Sequence, residues 1–99
     1  MLLAEVVDSH KETGKMKPTA QVRELLKRDA PEVKVASLDY LREEGDPSDL
    51  PDLIAHTEHE QAGVREAALK AISSFSDART LDAMRQRLDD TEPRVRAVA

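Results

Sequence analysis

The sequence predicts an all-α fold, a right-handed α-solenoid of antiparallel helix pairs, and three observations predict it. The chain repeats with a period of 31 residues. Val33-Lys34 returns as Val64-Arg65 and Val95-Arg96, Gly45-Asp46 as Ser76-Asp77, Leu50 as Leu81, Leu53 as Met84 and Leu41 as Ile72. A period of this length marks stacked units, each burying its apolar face on the next. Apolar residues also recur at helical spacings and never alternate with polar ones over a strand-length run. Ala, Leu, Glu, Arg and Lys dominate, which favours helix.

The period divides the chain into a divergent first repeat (1–30), a second (31–61), a third (62–92) and the start of a further helix (93–99). A first helix is predicted from Leu2 to about Glu12, with Leu2, Leu3, Val6, Val7 and His10 on one stripe and Gly14 as its stop. Pro18 opens a second helix to Arg28, carrying Thr19, Val22, Leu25 and Leu26 inward. Pro31 and Glu32 begin a third, to Glu44, with Val33, Ala36, Leu38, Tyr40 and Leu41 as core. Gly45-Asp46-Pro47 closes it. Asp46 or Ser48 caps a fourth helix, with Leu50, Leu53, Ile54 and Thr57 inward.

A fifth helix is predicted from about Gln61 to Ser74, its stripe running through Val64, Ala67, Ala68, Ala71, Ile72 and Phe75. Ser76 or Asp77 caps a sixth, with Leu81, Met84 and Leu88 inward, and Asp90 and Thr91 cap a last helix near Pro93. That last helix copies only the opening of its counterparts, so the chain is expected to be a segment of a longer array. Val95 and Val98 then offer an apolar edge for end-to-end self-association.

Composition narrows the function. Charged residues make up 35% of the chain, with 20 acids against 15 bases, so a nucleic-acid backbone is not the expected partner. The absence of cysteine excludes disulfides, thiolate metal sites and a cysteine nucleophile. No apolar run reaches the roughly 20 residues of a membrane span. A soluble cytoplasmic protein without a cofactor is the expectation. Ser9-His10 are adjacent and so diverge on a helix, and Gly14-Lys15 lacks the rest of a phosphate loop. Carboxylate pairs such as Glu43-Glu44 and Asp89-Asp90 fall at helix ends, where they serve capping and solubility.

One unit reads Val64-Arg65-Glu66-Ala67-Ala68-Leu69-Lys70-Ala71-Ile72, then Phe75-Ser76-Asp77, Leu81 and Met84, Leu88-Asp89-Asp90, and Pro93-Arg94-Val95-Arg96. This resembles the HEAT-like repeat of the phycobilisome-lyase type, over about residues 19–99. The resemblance implies helix pairs in which helix B lines the concave side. It also permits a bilin lyase component as an alternative function. In HEAT repeats acids and bases form a ladder between units. Here Lys34, Arg65 and Arg96 share one column and Asp29, Glu60 and Asp90 precede them, so a ladder and a set of solvated charges both stand.

Deoxyhypusine hydroxylase is similar in repeat pattern but carries His-Glu pairs directly after the Val-Arg. Those positions hold Val35-Ala36 and Glu66-Ala67 here, so that activity does not transfer. Repair glycosylases with HEAT-like folds need a basic face with aromatic residues, and this chain has only Tyr40 and Phe75.

Two sets of candidate residues follow. His56, His59 and Glu60 sit at i, i+3 and i+4, a spacing that could present three ligands to one metal. The main reading is surface histidines, with a metal-binding module as the alternative. On helix B, stacking gives the columns Arg23–Ile54–Arg85, Lys27–Glu58–Asp89 and Glu24–Ala55–Gln86. The expected function is a non-catalytic interaction scaffold or adaptor binding a protein or peptide through Arg23, Lys27, Ile54, Glu58, Arg85 and Asp89. Ile54 is either an anchor or a packing residue.

Overall fold

The computed structural model describes residues 18–99. The predicted first helix, with Gly14, lies outside them. The described residues form six α-helices: α1 (Pro18–Leu26), α2 (Pro31–Glu44), α3 (Leu50–His56), α4 (Ala62–Ile72), α5 (Ala78–Arg87) and α6 (Pro93–Val98). A single 3₁₀ turn, Pro47–Asp49, leads into α3. No strand occurs among the described residues. The chain is an α-solenoid of helix pairs, in which α2 packs against α1 and α4, and α4 packs against α3 and α6. It is elongated, 45 × 26 × 17 Å.

The period is visible in where helices begin. Pro31, Ala62 and Pro93 open α2, α4 and α6. Each is preceded by an extended residue without a side-chain cap, namely Ala30, Gln61 and Glu92. In all three the carbonyl of that residue accepts the first intrahelical bond, from the amides of Lys34, Arg65 and Arg96. Proline at the first position fits this start, because its missing N–H would lack a partner there anyway. Asp90 and Thr91 were expected to cap α6; Glu92 holds that place, and Asp90 instead accepts its amide at 3.0 Å.

The 3₁₀ turn before α3, and α5, start on aspartates. Asp46 accepts the Ser48 amide and Asp49 accepts the Asp46 amide, a reciprocal capping box. Asp77 caps α5 by accepting the Arg79 amide. Gly45 ends α2 in an extended conformation, φ −76°. Its role is close approach: a Cβ there would lie 2.5 Å from the Leu41 carbonyl oxygen.

The core runs between the layers. Leu38, Leu41, Leu50, Leu53, Val64, Leu69, Ile72 and Val95 are all essentially inaccessible. Each such leucine or isoleucine contributes about 1.5–3 kcal/mol relative to the exposed side chain. Val95 is therefore not part of the exposed apolar edge expected near the last helix, and Val98 is half-buried against the core. The small pair Ala67-Ala68 is buried on α4, where α2 and α4 pack side by side. Two features of α2 differ from expectation: Val33 and Ala36 are only half-buried, and Lys34 and Ser37 take the buried positions.

The stripe expected on α5 is corrected. Leu81 and Leu88 are 55% and 53% exposed, Met84 is half-buried, and Thr80 and Ala83 face inward. The cause is position in the stack. Their counterparts one period earlier, Leu50 and Thr57, are buried because α4 packs against α3. On the far side of α5 no described helix stands in that place, and the short α6 packs on α4.

Candidate functional site

The basic column forms a structural spine. Arg65, buried, donates from Nε and Nη2 to the two oxygens of Asp90 at 2.7 and 2.9 Å. Its Nη1 donates to the carbonyls of His59 and Glu60 at 2.8 and 3.0 Å. Arg96 donates to the Asp90 carbonyl at 2.6 Å. The ladder therefore exists at Arg65. Its carboxylate comes from the following turn, while the preceding turn, including Glu60, supplies main-chain oxygens. The Asp90 carboxyl is held below the usual carboxylate range, chiefly by the Arg65 hydrogen bond.

Lys34 occupies the same column one period earlier and has different partners. Its ammonium donates to the Leu26 carbonyl at 2.7 Å and to Nε2 of His56 at 3.1 Å. Nδ1 of His56 lies 2.7 Å from the Asp52 carbonyl, which can only accept, so Nδ1 carries a hydrogen. The ring of His59 lies nearly parallel, with centroids 6.3 Å apart, and its Nδ1 accepts the Gln61 amide at 3.0 Å. Both nitrogens of His56 and one of His59 are thus engaged. Among the described residues no group of three His, Cys, Asp or Glu is arranged to hold a metal ion, so His56, His59 and Glu60 do not form the site their spacing suggested.

The candidate contact residues divide. Arg23 is half-buried and binds Asp49 through two hydrogen bonds, 2.5 and 3.0 Å, with Asp46 at 3.5 Å. That clamp joins α1 to the start of α3, and no local pattern announces it, because the two residues lie 26 positions apart. Ile54 is partly buried and packs on the core. Lys27, Glu58, Arg85 and Asp89 are exposed. Among the described residues Lys27 pairs only with neighbouring Glu24, and Arg85 only with Asp82, at 3.3 and 3.7 Å. Leu81, Arg85 and Leu88 follow one another at i, i+4 and i+7, so they form one stripe along α5. The two leucines gave no sequence signal of exposure, since their column is buried elsewhere.

A family model described as HEAT repeats matches residues 19–99. The chain belongs to the HEAT-repeat family. No curated protein and no solved structure matches it. HEAT repeats commonly mediate protein–protein interaction, and in this HEAT-repeat chain Lys27, Glu58, Leu81, Arg85, Leu88 and Asp89 are exposed. No described helix is long and apolar enough to cross a membrane.

Proposed function

We propose that this HEAT-repeat protein is an interaction module that seats an amphipathic helix of a partner protein along the α5 stripe. The observation that carries the reading is the exposure of Leu81 and Leu88 with Arg85 between them. Apolar side chains rimmed by charge mark interaction surfaces, and arginine is enriched at their energetic centres. A partner helix packs on such a stripe through apolar residues at i, i+3 or i+4 and i+7. Lys27, Glu58 and Asp89 supply both signs of charge on the same side, suiting local pairing over long-range steering. No residue of the site is assigned a catalytic role.

The test is affinity capture with the chain and with its Leu81→Ser/Leu88→Ser variant, followed by mass spectrometry. Proteins held by the parent chain and released by the variant support the reading, provided helical content is unchanged. Identical capture by both would remove it. Light scattering of the same samples separates a foreign partner from a second copy of the chain.

A further inference from the structure

Two turns one period apart are built alike around different side chains. In the α5–α6 turn, Asp90 accepts the amide two residues on, from Glu92 at 3.0 Å. In the α3–α4 turn, Nδ1 of His59 accepts the amide two residues on, from Gln61 at 3.0 Å. His59 therefore stands where the next turn has its acid, and does the same local work with a neutral ring nitrogen. An amide cannot donate to a protonated Nδ1, because both groups would then present hydrogens.

The surroundings of His59 are basic. His56 on α3 stacks on its ring, Lys34 on α2 bonds to His56, and Arg65 on α4 donates to the His59 carbonyl, with Glu60 of its own turn as the neighbouring acid. The α1 helix contributes the Leu26 carbonyl to Lys34, and Asp90 lies beyond Arg65, bound to it. We propose that His59 is a proton-operated latch: neutral, it closes the α3–α4 turn, and protonated, it releases Gln61 and loosens the junction between the two helix pairs.

Burial, then the Lys34 charge and His56, hold the His59 imidazole below its ordinary value of 6.5, and Glu60 opposes them. The folded chain then binds fewer protons at His59 than the unfolded chain does. Stability present above the ordinary imidazole value is lost as pH falls through the folded value.

The experiment follows the Gln61 and Glu92 amides and the His59 ring by NMR from about pH 7.5 to about pH 5.5, the range of imidazole titration. The Gln61 amide is expected to lose its shift and exchange protection in step with His59, while Glu92 keeps both. His59→Asn retains an acceptor at the same place without the titration. Its urea midpoint is expected to fall less across this range than that of the parent chain. His59→Asp, which restores the acid of the next turn, is expected to hold Gln61 at both ends. A Gln61 amide unmoved through the His59 titration, or an equal fall in His59→Asn, would overturn the latch.

Discussion

Arg65 of α4 grips both carboxylate oxygens of Asp90, 25 residues further along the chain. Both side chains are almost fully shielded from water. Removing Asp90 leaves the buried Arg65 without its carboxylate, and removing Arg65 leaves Asp90 only the longer Arg87 pair at 3.5 Å; breaking a buried pair costs roughly 3 kcal/mol. Arg65→Ala and Asp90→Ala are each expected to lower the unfolding free energy by about that amount. The double variant should lose much less than the sum, with a coupling of at least ~1 kcal/mol in urea unfolding.

The same pair has an acid signature. The Asp90 carboxyl titrates below its ordinary value of 3.8, so the folded state binds fewer protons there than the unfolded state. Its contribution is complete above that value and disappears as pH falls through the lower, folded one. The stability difference between the parent chain and Asp90→Asn should therefore be constant above about pH 5 and shrink below pH 4. Urea midpoints measured across that range check it.

Two arginines of one sequence column have separate fates. Arg23 clamps Asp49, whereas Arg85 projects from α5 with its side chain 75% exposed. Arg23→Glu sets two acids against each other and is expected to unseat α1, seen as lost amide protection in residues 18–26. Arg85→Glu should leave stability within about 0.5 kcal/mol and weaken partner capture.

Gly45 is held by space rather than by backbone angle. A methyl group there would sit 2.5 Å from the Leu41 carbonyl oxygen, which accepts the Gly45 amide at 2.9 Å, and 3.0 Å from Oδ2 of Asp49. Neither oxygen can retreat without breaking the end of α2 or the Asp49 clamp. Gly45→Ala is expected to cost roughly 1–3 kcal/mol in urea unfolding.

Helix order and the 31-residue stack were legible because period and punctuation agree. Pro31 and Pro93 open helices, Asp46 and Asp77 cap them, and Leu38, Leu53 and Ile72 recur at core spacing. The site was less legible, because a repeat reports what columns share and exposure depends on what lies beside each layer. Leu50 and Leu81 are the same residue in the same column, yet among the described residues only Leu50 has a helix packed over it. Arg23 read as a contact residue because its carboxylate partner is 26 positions away, beyond any local rule. His56 and His59 read as potential ligands, since spacing places side chains and leaves their hydrogen-bond partners open.

The comparison of Leu50→Ala with Leu81→Ala in urea unfolding tests the stacked arrangement and its free outer face together. Leu50 is fully buried and Leu81 is 55% exposed. The predicted result is a loss of about 3 kcal/mol for Leu50→Ala and less than about 0.5 kcal/mol for Leu81→Ala. Equal losses, or a larger one at Leu81, would contradict both the stacking of the layers and the availability of the α5 stripe to a partner.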